Sequence, residues 1–150
     1  MSKIAIMESL AISAETLNAL KKPFELEGHS FTEYSRTTDI QALIQQAKYA
    51  DVMIIADMPM PGAVIEACEQ PKFIDVAFTG VDHVDLAAAK AKGVSVSNAS
   101  GYSNEAVAEL VLGMVLSLSR NLRAVEDRCR EGRTKDGLVG WELKGKPSAS

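Results

Sequence analysis

Cysteine, histidine and aromatic residues are scarce: two Cys, two His, four Phe, three Tyr and one Trp in 150 residues. Cys68 and Cys129 stand far apart, with no CxxC and no Cys/His cluster, so neither a zinc site nor a disulfide framework is indicated. Both are expected to be reduced, half-buried helix residues in a cytoplasmic protein. The opening MSKIAIMES lacks a signal-peptide pattern. Positive charge is not in excess: the net charge is −4 and the pI about 5.2, which argues against a nucleic-acid or anionic-membrane partner. Nor does GxGxxG occur, so the glycine-rich phosphate cradle of a dinucleotide-binding unit is missing.

What remains is ordinary globular composition, 47% hydrophobic and 24% charged, enough for one core and part of a second. The charge is uneven. Residues 1–119 carry 8 basic and 15 acidic side chains and residues 120–150 carry 8 and 5, as expected for a solvated basic helix face near the end.

Apolar runs and helical spacings alternate along the chain. Lys3–Met7 reads as a buried strand, and Ser13 as the cap of a helix over Ala14–Leu20 that Pro23 ends. Ser30–Tyr34 is a second strand. Asp39 caps a helix over Ile40–Ala47, and Val52–Ala56 is a third strand. After Pro59, Pro61 and Gly62 a helix includes Val64–Cys68, with Pro61 suited to its first turn. Phe73–Thr79 is a fourth strand. Asp82 or Asp85 caps a helix over Leu86–Lys92 that Gly93 stops, and Val94–Val96 is a fifth strand. This alternation predicts an α/β fold: a flavodoxin-like, doubly wound, parallel five-stranded sheet over residues 1–100, covered on both faces. Ligands in such sheets bind beyond the carboxyl ends of the strands, here Glu8-Ser9, Asp57–Pro59, Thr79–Val81 and Asn98–Ser100.

Residues 101–150 differ. Ser103 can cap a helix with Glu105 in its first turn, and from Ala106 to Leu118 nearly every residue is apolar. Such a helix must be buried all round, yet it falls short of the ~20 apolar residues that span a bilayer. Continued to Glu131, before Gly132, it would be roughly 40 Å long. It therefore reads as a long interdomain or dimerisation helix, and residues 104–131 are the expected surface of a homodimer.

Three blocks, TGVDHVDLAAAKAKGVSVSN, GYSNEAVAE and GWELKGK, make nearly the whole chain resemble the D-isomer-specific 2-hydroxyacid dehydrogenases. The resemblance implies a substrate-side half followed by an arm toward a nucleotide-binding domain. It implies NAD or NADP as cofactor and the carboxylate of a 2-hydroxyacid or 2-oxoacid as ligand. On that resemblance the amides of Gly80 and Val81 hold the carboxylate, and the Asp57-Met58-Pro59 loop forms the other cleft wall. Thr79 and Val107 touch the dinucleotide near its nicotinamide. Read alone, Gly80 is a tight turn, Thr79 a strand-end hydroxyl bonded to nearby backbone, and Val107 helix core. The loop lacks the Arg-Ser pair of many family members, so the particular acid stays open. Trp141 is expected to pack on a partner surface; the plainer reading is a surface-covering aromatic.

His29 and His83 suggest general bases, but neither matches the family's catalytic histidine, and both read as solvated loop residues. Asp82 and Asp85 read as capping groups rather than paired catalytic acids. The family's glycine loop, ribose-binding acid and catalytic Arg, Glu and His all follow its ELxGK block. Here Lys146 is followed by Pro147-Ser148-Ala149-Ser150. Loss of one A from AAA ACC GTC GGC ATC GT, a coding for the family-like Lys-Thr-Val-Gly-Ile, yields Lys-Pro-Ser-Ala-Ser. The expectation is a frameshifted, truncated chain with no catalytic residue, no turnover and no stable hold on the cofactor. A competing reading takes DVMIIADMPMPG for a response-regulator-like receiver, with Asp57 as phosphoacceptor and Thr79 as switch hydroxyl. The acidic pair and the lysine that such sites need are absent. A third takes helix 104–131 as an assembly module.

Overall fold

The structure is a computed structural model that describes residues 1–146. Pro147–Ser150, on which the frameshift reading turns, lie outside the described residues. The chain forms two compact units, one of Met1–Tyr102 and one beginning at Ser103.

The first unit runs β1 (Lys3–Ile6), α1 (Ala14–Leu26), β2 (Ser30–Glu33), α2 (Ile40–Ala47), β3 (Val52–Ile55), α3 (Gly62–Ala67), β4 (Phe73–Val76), α4 (Leu86–Ala91) and β5 (Ser95–Asn98). All pairings are parallel and the strand order is β2-β1-β3-β4-β5. The flavodoxin-like arrangement read from the alternation is the one observed.

Alternation along each strand sorts the side chains to two faces. Ala5, Met53, Ile55, Ile74 and Val76 join Leu43 and Ala47 of α2, Val64 and Ile65 of α3 and Ala89 of α4 in one buried cluster. The opposite face is thinner than the predicted two-sided cover. It carries α1, which has no buried residue of its own and meets β2 through Phe24 edge-on to Phe31. Ile4, Val52, Ile54 and Phe73 on that face are half-buried.

Local chemistry accounts for most element ends. Ser13 accepts from the Thr16 amide, Asp39 from that of Gln41 and Asp85 from that of Ala88. Pro23, expected to end α1, instead lies inside it. It removes one donor near the carboxyl end, while its own carbonyl still accepts from Glu27, and the turn is closed by Gly28 at φ +88°. The last strand pairs over Ser95–Asn98 rather than Val94–Val96, because Phe73 and Val76 of β4 set the register opposite Ser95 and Asn98.

In the second unit the predicted continuous helix is two: α5 (Asn104–Ser119) and α6 (Leu122–Arg130). Asn121 between them adopts φ +54°, a left-handed conformation that asparagine tolerates and a helix interior does not. Ser103 occupies the cap position of α5 without a side-chain bond. The apolar α5 is therefore about 24 Å long. Among the described residues no helix is long and apolar enough to cross a membrane. The cysteines are not half-buried as expected: Cys68 is buried, which pushes its thiol pKa up, and Cys129 is exposed.

Asp51 ties three strand starts together. Its carboxylate accepts from the Lys3 amide at 2.8 Å and from Lys72 Nζ at 2.8 Å, and its carbonyl accepts from the Lys72 amide. The Lys3 amide bond, with help from Lys72, holds its pKa below the usual carboxylate range. Its stabilisation is then complete above about pH 4 and fades as pH falls through the lowered folded value. Asp51→Ala should cost about 1–2 kcal/mol in urea unfolding at pH 7. The gap to the parent chain should close progressively in acid.

Candidate functional site

Parallel strands bring their carboxyl ends to one edge, and in the order β2-β1-β3-β4-β5 the chain reverses direction between β1 and β3. That switch point is built around a buried carboxylate. The Glu8 side chain, 4% exposed, lies just after β1. Its Oε1 accepts from the amides of Ala56 at 2.7 Å and Met58 at 2.9 Å, and its Oε2 accepts from Arg36 Nη1 at 2.8 Å. The same Nη1 also pairs with Asp57, whose side chain is 60% exposed. The hydrogen bond to Asp57 raises the Arg36 pKa, and the reciprocal bond lowers that of Asp57, with His83 adding a smaller pull.

The loops after β3 and β4 are also bonded to each other. The Met60 amide donates to the His83 carbonyl at 2.8 Å and the Asp85 amide to the Met60 carbonyl at 3.0 Å. Gly62 sits against α4 so closely that an added Cβ would lie 2.7 Å from Asp85 Oδ2. Asn98 Nδ2 donates to the Thr79 carbonyl at 2.6 Å, linking the end of β5 to the same edge.

Within this frame Thr79 is exposed and Gly80 and Val81 are half-buried. Among the described residues the amides of Gly80 and Val81 form no hydrogen bond. Gly80 has no positive φ, so its backbone does not demand glycine. What it supplies is space, since a Cβ there would come within 2.9 Å of Asp82 Oδ1. The Met58 side chain is fully buried and its amide is held by Glu8, while Asp57 and Pro59 on either side of it are exposed. Val107 is exposed on α5 in the second unit.

The histidines are not simply solvated. His29 Nδ1 accepts from the Ser2 amide and its ring packs edge-on to Phe24. His83 is half-buried, and its Nε2 is buried with no partner among the described residues. Asp85 does cap α4, while Asp82 stays exposed. The Glu8–Arg36–Asp57 cluster was not anticipated. Glu8 was visible as a strand end, but nothing local marks Arg36 as its partner 28 residues on.

The family model "D-isomer specific 2-hydroxyacid dehydrogenase, catalytic domain" matches residues 4–140. Hydroxypyruvate reductase of Thermotoga maritima is 32% identical over 137 residues, 90% of this chain and 43% of that protein. Glycerate dehydrogenase of Methylorubrum extorquens is 31% identical over 121 residues, 81% of this chain and 38% of that protein. Among solved structures, NAD+-bound 3-phosphoglycerate dehydrogenase of Entamoeba histolytica superposes with a TM-score of 0.68 at 25% identity. That match covers 79% of this chain and 39% of the other. The chain thus spans less than half the length of these proteins. These likenesses do not favour the receiver reading, and Glu8 is turned into the Ala56 and Met58 amides rather than free to form an acidic cluster with Asp57.

Glu8→Ala should leave the Ala56 and Met58 amides without their acceptor and Arg36 paired with Asp57 alone. Removing such a buried partner costs about 1–3 kcal/mol. In amide exchange, Met58 should lose protection while Asp51 and Lys72, at the other end of the sheet, keep theirs.

Proposed function

Given that this chain belongs to the D-isomer-specific 2-hydroxyacid dehydrogenase family, we propose that residues 1–100 are its substrate-side half. Gly80 and Val81 seat the carboxylate of a 2-hydroxyacid or 2-oxoacid. The carrying observation is that the amides from Phe78 to His83, those of Gly80 and Val81 among them, form no hydrogen bond among the described residues at the ligand edge of the sheet. Backbone N–H groups presented together, with no side chain at Gly80, suit an anion. Met58 contributes through its buried place in the loop opposite, which fixes Asp57 at the cleft wall. The family reaction is the NAD(P)-dependent interconversion of 2-hydroxyacids and 2-oxoacids.

Thr79 and Val107 are the residues assigned to the nicotinamide side of NAD or NADP. Both are exposed, as a contact with a bound group requires. They do not amount to a cofactor site. A dinucleotide clamp needs a glycine-rich turn between strand and helix. The junctions from β4 to α4 and from β5 to α5 have a single glycine each, Gly80 and Gly101, and those after β1, β2 and β3 have none before the helix begins. The residues described here therefore do not fit the dinucleotide, and the chain by itself should not turn over. Residues 101–150 serve as an arm toward a nucleotide-binding domain. α5 serves as a dimer surface within 104–131, its Leu110, Leu112, Met114 and Leu118 being 50–77% exposed.

Adding glyoxylate to 15N-labelled chain should shift the Gly80 and Val81 amide resonances at millimolar concentration, and Gly80→Ala should weaken that binding. NADH oxidation with 2-oxoacids should stay at background. Absence of amide shifts, or clear turnover by the purified chain, would overturn the respective statement. In sedimentation at micromolar concentration the chain should run as a dimer that Leu110→Glu with Met114→Glu dissociates. A monomeric parent chain would remove α5 as the interface.

A further inference from the structure

We propose that His29 is a pH-operated latch on the segment that leads into β1. Its neutral ring holds Ser2 against the turn between α1 and β2. Its protonated ring releases Ser2 and pairs with Glu27, which opens one end of the apolar groove on the α1 side of the sheet.

The Ser2 amide donates to His29 Nδ1 at 3.2 Å. A ring nitrogen accepts only through a free lone pair, so this bond requires the neutral ring with its hydrogen on Nε2. Glu27 stands on that side, its Oε2 4.0 Å from Nε2 and beyond hydrogen-bond reach. Protonation changes both contacts. Nδ1 then carries a hydrogen that meets the Ser2 N–H, donor against donor, and the charge on the ring draws it toward the Glu27 carboxylate. One proton thus exchanges one partner for the other.

The latch acts on an edge of the sheet. β2 is the edge strand beside β1, and their pairing begins at Lys3 and Ser30. The next bond outward, from the Ser30 amide to the Ser2 carbonyl at 3.0 Å, depends on the residue that His29 holds. The Met1 side chain lies beside Gly28, where an added Cβ would come within 3.0 Å of Met1 Cε. Ser2, Glu27 and His29 border the groove together with Ile4, Val52 and Phe73. Asp75 borders it too, the Met1 amino group precedes Ser2, and the Lys3 ammonium lies over Tyr49. Phe24 meets the ring edge-on and brings no charge. Carboxylates ordinarily stay ionised above about pH 5 and α-amino groups stay protonated below about pH 7, so imidazole is the group that changes between them. The other histidine, His83, follows β4 at the opposite edge of the sheet.

The test follows the 150-residue chain by NMR from pH 7 to pH 5. At pH 7 the ring nitrogen spectrum of His29 should show its hydrogen on Nε2. As the ring gains a second proton, the Ser30 amide should lose about two- to ten-fold of its exchange protection, relative to an unstructured chain at the same pH. The Ala77 amide, which donates to Ile55 within the sheet, should keep its own. The nuclear Overhauser contact between the Met1 methyl and Gly28 should fade at the same midpoint. His29→Asn, whose side-chain oxygen accepts without titrating, should hold both signals level across the range. A neutral ring with its hydrogen on Nδ1 overturns the proposal. So does Ser30 protection that stays level in the parent chain, or that falls equally in His29→Asn.

Discussion

A parallel sheet places every strand's carboxyl end on one edge, and the candidate site follows from that constraint. Each strand here is only four residues long, so the four loops that leave this edge for a helix, together with the turn after β5, start within a narrow row. Such loops would diverge unless something tied them. Glu8 joins the loop after β1 to the loop after β3, the Met60–His83 and Asp85–Met60 bonds join that loop to the one after β4, and Asn98 joins the turn after β5. The result is a continuous hydrogen-bonded rim resting on a core that includes Met53, Met58 and Met60. Methionine adapts its shape readily, which suits loop residues that must fill irregular space beneath a rim.

How far the fold could be read from the chain depended on whether the determining interactions were local. The helix Ile40–Ala47 and its Asp39 cap were legible because apolar spacing and a capping carboxylate act within one turn. The order of elements was legible for the same reason. Pro23 misled because a proline near the end of a helix removes one bond, while a glycine at positive φ is what turned the chain. The last strand was placed early because Val94 is apolar, whereas its pairing with β4 is a long-range fact. At the site, Gly80 and Val81 were marked by motif, but the Glu8 contacts span 28 to 50 residues and leave no local trace.

The second unit shows a limit of periodicity arguments. Ala106–Leu118 is apolar on all sides, and that composition says a surface is missing without saying which one. Extending the helix to Glu131 treated the charged segment after Arg120 as a continuation of the same element. Asn121 divides them. The apolar demand belongs to α5, while α6 bears ion pairs such as Glu126–Arg130 and has no buried residue. Two neighbouring helices thus have opposite solvent preferences.

The amides at the ligand edge are divided between two uses. Those of Ala56 and Met58 are engaged by the chain's own carboxylate, and those of Gly80 and Val81 are not. The division has a physical logic. A loop that must stay rigid needs its donors satisfied internally, since a buried unpaired amide is costly. A loop that receives an external anion must keep its donors free, and can do so only where solvent reaches them when the ligand is absent. Glu8 is nearly inaccessible and Gly80 and Val81 are half-buried, in keeping with those two demands. Under the proposed carboxylate seat, an internal anion on one strand end and open donors two strands away would let one wall hold still while the other receives the ligand.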